Sequence, residues 1–272
     1  MRTVSITNQK GGVGKTTTSV NLAAAMANVP RRVLLIDLDP QGNATTGSGV
    51  DKREVENTTA QALMKDALAT ECVVPGCKGG YDLMPGNEQL TTAEVRLLEL
   101  QGREFRLREA LQSLHERYDY VFLDCPPSLN MLTLNGLVAA DSVIIPTQCE
   151  YYALEGLSAL MQTIDRVRRT ANPALGIEGL LRTMYDSRNN LAHDVSSQLA
   201  SHFGEEVFRT IIPRNVTLAE APSHGLPVLL YDAYSRGAQA YLNLANEMLA
   251  RAEGPETTAP GSPEMQQHTP ES

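Results

Sequence analysis

Two lysines and three glycines share six residues near the start of the chain, Lys10-Gly11-Gly12-Val13-Gly14-Lys15, with Thr16 and Thr17 directly after. A β-like run, Thr3 to Thr7, leads into this loop, and an alanine-rich helical stretch, Ser19 to Ala27, leads out of it. Strand, glycine loop and helix start are the parts of a phosphate cradle. Glycines let several backbone N–H groups turn toward one anion, and the helix N-terminus adds partial positive charge. In such a cradle Lys15 reaches the β- and γ-phosphates of a nucleotide, and the Thr16 hydroxyl holds Mg²⁺. The strict pattern G-x-x-x-x-G-K-[ST] is not met, because its first glycine falls on Gln9, and Lys10 stands inside the loop instead. A glycine-rich turn with an incidental lysine is the competing reading, and the flanking strand and helix weigh against it.

The rest of the chain supplies the sheet that such a loop needs. Arg31 to Asp37 reads as a fully buried parallel strand after the Asn28-Val29-Pro30 break, and Tyr118 to Asp124 as another. Further strands are expected at Tyr81 to Met84, Asp141 to Thr147 and Gly176 to Tyr185. Helices are expected at Thr59 to Leu68, Glu88 to Leu100, Glu104 to Arg117, Tyr151 to Arg169 and from Tyr234 to about Ala252. Buried strands alternating with helices specify an α/β fold, a doubly wound, mostly parallel sheet with helices on both faces. Asp37 and Asp39 lie at a strand's carboxyl edge, where open α/β sheets bind ligands, although a solvated turn would use the same residues. Asp124, at the tip of its strand, has the form of a Walker B carboxylate.

With 272 residues, 42% of them hydrophobic, the chain suffices for one sizeable domain, expected at 1–252. A disordered acidic, proline-rich tail is expected at 253–272, because that stretch lacks aromatics, lysine and arginine. The net charge of -9 means that any contact with nucleic acid must come from a local basic patch or from dimerisation. The absence of Trp and the presence of only four Phe argue against stacking on single strands. None of Cys72, Cys77, Cys125 and Cys149 forms a C-x-x-C pair, so reduced cytosolic thiols are expected. No leader and no apolar run long enough to span a membrane is seen, so a cytoplasmic protein is expected.

Lys-Gly-Gly-Val-Gly-Lys-Thr-Thr resembles the deviant Walker A motif of the ParA/MinD class of P-loop ATPases. Asp37-Leu38-Asp39-Pro40-Gln41-Gly42-Asn43, Asp186 to Leu191 and Ile212 to Ser223 narrow the resemblance to the ParA/Soj chromosome-partitioning ATPases, over residues 1 to about 250. The resemblance implies ATP and Mg²⁺ as cofactors, bound by Gly11, Gly12, Val13, Gly14, Lys15, Thr16 and Thr17. Mg²⁺ is then held by Thr16, Asp37 and Asp124, partly through water. It implies that Lys10 crosses to the phosphates of a second subunit in a homodimer, and that Asp39 in switch I positions the attacking water. Cys125 to Ser128 then form switch II. An adenine pocket is implied near Met184, Pro213, Arg214 and Asn215.

Also implied are nonspecific binding of double-stranded DNA by the ATP-bound dimer through Arg188 and Arg214, association with the nucleoid, and stimulation of hydrolysis by a ParB/Spo0J-type centromere-binding protein. Two basic positions of that pattern are Thr217 and Leu226 here. That departure keeps open an ATP-switched regulatory or positioning protein that recruits a protein partner without using DNA. Arg188 paired with a nearby carboxylate is the other reading of that residue. An iron–sulfur relative that shares this loop is disfavoured, because Cys125 is adjacent to Asp124 rather than a few residues beyond it. The acidic tail also cannot serve as the basic membrane-binding helix of MinD-type relatives, so no membrane partner is expected.

Overall fold

Seven parallel strands form one sheet in the spatial order β3-β2-β4-β1-β5-β6-β7. They are β1 (Arg2–Ile6), β2 (Val33–Asp37), β3 (Asp82–Met84), β4 (Tyr120–Asp124), β5 (Ser142–Gln148), β6 (Gly176–Tyr185) and β7 (Val207–Pro213). The computed structural model describes residues 1–253. Of the tail expected at 253–272, only Glu253 is described, and it ends the last helix; the remainder lies outside the described residues.

The helices, in chain order, are α1 (Lys15–Asn28), α2 (Asn43–Gly47), α3 (Thr59–Met64), α4 (Gln89–Leu97), α5 (Arg106–Leu111) and α6 (Met131–Ala139), then α7 (Ala153–Thr170), α8 (Asn190–Phe203), α9 (Val216–Glu220), α10 (Val228–Tyr231) and α11 (Arg236–Glu253). Alternate strand residues feed two separate apolar layers. Leu34, Ile36, Val121, Leu123, Val143 and Ile145 meet α4 to α8 on one face. Val33, Leu35, Tyr120, Phe122 and Ile144 meet α1 and α11 on the other. Burial on both faces explains why these strands read as continuous apolar runs.

Several expected boundaries shift for local reasons. The first helix starts at Lys15 rather than Ser19, so its opening turn belongs to the glycine loop. α3 stops at Met64, where Lys65 turns left-handed with φ 61. The helix expected over Glu104 to Arg117 divides into a 3₁₀ turn at Arg103–Phe105, α5, and a second 3₁₀ turn at Gln112–Leu114. Leu114 follows Leu111 by three positions, and the tighter winding buries both. Five helices escaped the sequence reading, the short α2, α9 and α10 and the longer α6 and α8; the last two are the informative ones. Both begin on an asparagine cap: the Asn130 side chain accepts from Thr133 N–H before α6, and Asn189 accepts from Leu191 N–H before α8.

Strand order creates the crevice. β1 lies between β4 and β5, and the chain leaves β1 for β2 on one side but leaves β4 for β5 on the other. The carboxyl ends of β1 and β4 therefore flank a topological switch point. Register aligns Asp124 with Ile6 on β1 and with Asp37 on β2, so two carboxylates and the root of the glycine loop share one edge.

Candidate active site

The loop between β1 and α1 is wound around two left-handed glycines, Gly12 (φ 73) and Gly14 (φ 87). A side chain would strain both positions. A Cβ on Gly11 or Gly12 would meet open space, so the loop is lined toward the crevice by backbone alone. α1 begins immediately after, and the free N–H groups of its first turn face the same end of the sheet. Val13 is buried, and its carbonyl accepts a 2.8 Å hydrogen bond from Thr183 Oγ1 of β6. Asn8 roots the other end of the loop, with Nδ2 donating to the Pro146 carbonyl on β5 at 2.8 Å. Gln9, at the position where the strict pattern has glycine, keeps a buried Nε2 with no partner among the described residues.

The two lysines of the loop point to different places. Lys15 is buried, and its Nζ donates to the Lys10 carbonyl at 3.0 Å. Burial pulls its pKa below the ordinary value, while the charges of Asp124 and Asp39 oppose that shift. Lys10 turns outward and forms a 2.6 Å ion pair with Glu150.

Around Lys15 the three expected carboxylates converge. Asp124 is fully buried, and each of its oxygens has a hydroxyl donor from α1: Thr16 Oγ1 gives 2.8 Å to Oδ2, and Ser19 Oγ gives 2.7 Å to Oδ1. Thr16 and Ser19 are three residues apart, and so lie on one helix face. Sequence reading missed Ser19, although that spacing from Thr16 was the available signal. Asp37 accepts from Thr45 N–H and Oγ1 through Oδ2, at 2.8 and 2.7 Å, and from Asp39 N–H through Oδ1 at 3.1 Å. Asp37 thus anchors the loop that carries Asp39. A Cβ on Gly86 would sit 2.7 Å from the Asp37 carbonyl and 2.9 Å from its carboxyl carbon, so this packing requires glycine there. Asp39 is itself buried, and Oδ1 accepts from Gln41 N–H at 2.9 Å.

Burial raises the pKa of both Asp37 and Asp124, and the Asp37 charge raises Asp124 further. Such a cluster fits a divalent cation that neutralises the excess charge. No group of three or more His, Cys, Asp or Glu able to cage a metal occurs among the described residues. Mg²⁺ suits this arrangement, because it is usually held by one or two protein oxygens, substrate phosphates and waters. The Cys125 thiol beside Asp124 is pushed up to about 12 by burial and hydrogen-bonds Ser5, so it is an inert wall.

A family model described as an AAA domain matches residues 1–177. The sporulation initiation inhibitor protein Soj of Bacillus subtilis is 51% identical over 247 residues, 91% of this chain and 98% of that protein. The chromosome partitioning protein ParA of Myxococcus xanthus is 52% identical over 250 residues, covering 92% of this chain and 88% of its own length. The chain belongs to the ParA/Soj family of chromosome-partitioning ATPases.

Among solved structures, a Mycobacterium smegmatis protein described as cobyrinic acid a,c-diamide synthase, with bound ATP analogue and magnesium, superposes with TM-score 0.82 at 38% identity, over 93% of this chain and 96% of that one. The Pyrococcus furiosus cell division ATPase MinD shares the fold, with TM-score 0.75 at 24% identity over 91% of this chain and 98% of that one.

On this ParA/Soj chain the expected adenine and DNA residues occupy the far end of the same sheet edge. Met184 adopts a left-handed φ of 49 and lies beside Gly14, its sulfur 2.8 Å from Gln148 Nε2. Tyr185 pairs with Pro213 across β6 and β7, and Arg214 N–H donates to the Tyr185 carbonyl at 3.0 Å. Asn215 is spent as the cap of α9, its Oδ1 accepting from Leu218 N–H and from Thr217 Oγ1. Its side chain is therefore tied to the helix start, and Thr217 is tied to it. Arg214 is exposed. Arg188 is exposed too, but forms a two-point pair with Asp186, Nε to Oδ1 at 2.9 Å and Nη2 to Oδ2 at 2.8 Å.

Proposed function

We propose that this chain is an ATP-driven DNA-segregation switch: two subunits close over ATP, the dimer binds duplex DNA without sequence preference, and hydrolysis resets it. The carrying observation is the division of labour in one loop, with Lys15 buried among carboxylates and Lys10 turned out to the surface. Loop N–H groups from Gly11 to Thr17 and the Lys15 amine bind the phosphates, and Met184, Pro213 and Arg214 border the base. Thr16, Asp37 and Asp124 would hold Mg²⁺, partly through water, with Ser19 ordering the Asp124 carboxylate. When bound there, Mg²⁺ supplies charge stabilisation to the transferring phosphoryl group. Asp39, held by Asp37, orients the attacking water.

Lys10 crosses to the phosphates of the second subunit and stabilises charge there. Dimer closure and hydrolysis are thereby coupled. Lys10→Ala is expected to retain ATP binding as a monomer but to weaken the ATP-dependent dimer about 30-fold or more, the scale of truncating one member of a desolvated charge pair. Light scattering that shows an unchanged dimer would remove the in-trans role.

DNA contact falls to arginines on a chain of net charge -9, chiefly Arg188 and Arg214, and so to backbone phosphates with strong salt dependence. A cytoplasmic, nucleoid-bound cycle follows, reset by a ParB/Spo0J-type partner. No helix among the described residues is long and apolar enough to cross a membrane. The pairing of Arg188 with Asp186, together with Thr217 and Leu226 at two basic positions, favours a second reading as a protein-recruiting switch.

Duplex binding by Asp39→Ala protein with ATP, ADP or no nucleotide, at low and moderate salt, separates the two. Binding only with ATP, and steeply weakened by salt, is expected. An ATP dimer that ignores DNA would leave the recruiting switch.

A further inference from the structure

Lys10 and Glu150 are 140 positions apart, yet the fold puts the Lys10 amine 2.6 Å from the Glu150 carboxylate. Both stand on one platform. β1 and β5 are sheet neighbours, Thr7 N–H donates to the Ile144 carbonyl at 3.1 Å, and Asn8 Nδ2 donates to the Pro146 carbonyl. The Lys10 backbone is fixed from two directions, its N–H donating to Asn8 Oδ1 at 3.0 Å and its carbonyl accepting from Lys15 Nζ. The Glu150 backbone is fixed as well. Its N–H donates to the Gln148 carbonyl, and its own carbonyl accepts from Ala153 N–H where α7 begins. The two side chains that meet above these fixed backbones are both half in solvent, Lys10 41% and Glu150 52% exposed.

We propose that Glu150 is a positioning residue for Lys10: its carboxylate draws the amine out of its own loop and keeps it available to the phosphates of a second subunit. The proposal rests on the in-trans role assigned to Lys10 above. A free ammonium in a phosphate-binding loop is attracted to whatever anion that loop binds. Unit charges in contact attract even at the dielectric of water, and more strongly near a protein surface. Unopposed, Lys10 would fold back onto its own subunit's nucleotide. That contact would tighten ground-state binding in the monomer and remove the cation from the partner's site, where charge develops during hydrolysis. Glu150 opposes the fold-back with a negative charge rooted on the outer side, at the end of β5, and leaves the inner side to Lys15. The same loop can then carry two lysines without both serving one nucleotide.

Because the pair is exposed, the effects are modest and follow the scale of surface ion pairs, up to about fivefold. The experiment uses the full chain, with a fluorescent ATP analogue titrated into dilute monomer, light scattering for the ATP dimer, and steady-state phosphate release. Glu150→Gln keeps the shape and removes the charge. It is expected to bind the analogue about three- to fivefold more tightly as monomer, to dimerise about three- to fivefold less readily, and to lower KM and kcat together. Glu150→Asp, which keeps the charge, is expected to lie closer to wild type in all three. In a Lys10→Ala background, Glu150→Gln should change nothing further.

Equal or stronger dimerisation by Glu150→Gln, or looser monomer binding, overturns the proposal. So does an effect that persists without Lys10, or Glu150→Asp behaving like Glu150→Gln. Lys10→Ala protein that still dimerises defeats the in-trans role itself and this inference with it. Lys10→Ala that loses the dimer beside an unchanged Glu150→Gln defeats the inference alone.

Discussion

Lys15→Ala is expected to lose nucleotide affinity by about 100-fold or more, even with Mg²⁺ in excess. Hydrogen bonds from a charged donor contribute about 1.5–3 kcal/mol each, and the Lys15 ammonium has donors left over after its single bond to the Lys10 carbonyl. Two such bonds to phosphate oxygens account for the loss. A second consequence is local. Lys15 is the cation buried with Asp124 and Asp39, and without it their negative charges face the phosphates uncompensated. Titration with a fluorescent ATP analogue measures the effect, and circular dichroism confirms that the variant stays folded. Normal affinity in a folded variant would overturn the phosphate cradle.

Asp39→Ala is expected to keep ATP binding and the ATP dimer while turnover falls about 10²- to 10⁴-fold, the range for losing a positioned general base or water-orienting group. The structure supports this separation. Asp39 makes one side-chain hydrogen bond among the described residues, to Gln41 N–H, so its removal leaves the Asp37–Thr45 anchor and the Thr16–Asp124–Ser19 set intact. Phosphate release measured beside light scattering tests it directly. Wild-type turnover would refute the role of Asp39. Loss of the dimer together with turnover would show that Asp39 holds the fold of switch I rather than the water.

Secondary structure was legible wherever one local cause dominated. Buried parallel strands announced themselves as unbroken apolar runs at Val33 to Asp37 and Tyr120 to Asp124. Helices were harder where burial depended on distant partners. α6 is buried along most of its length, Thr133 and Asn135 included, packed between the sheet and α5, and so shows no amphipathic stripe. The segment after Glu104 kept a helical apolar spacing but broke at both ends to fit Leu107, Leu111 and Leu114 into one core. For the site, the loop lysines and the strand-tip aspartates could be named in advance, because glycine chemistry and strand ends are local signals. Glu150 could not, since it owes its role to a residue 140 positions away, and Ser19 was signalled only by its helical spacing from Thr16.

The amino-acid sequence alone determined that a glycine loop would join a strand to a helix, and that Asp37, Asp39 and Asp124 would stand at strand tips. Backbone conformational freedom and apolar periodicity act over a few residues and need no tertiary partner. Tertiary structure alone decided that β4 lies beside β1 and β5 on its other side. Strand order follows from how two apolar layers close around the whole sheet, which no single segment encodes. That order puts Asp124 under the hydroxyls of Thr16 and Ser19, and it puts Glu150 against Lys10.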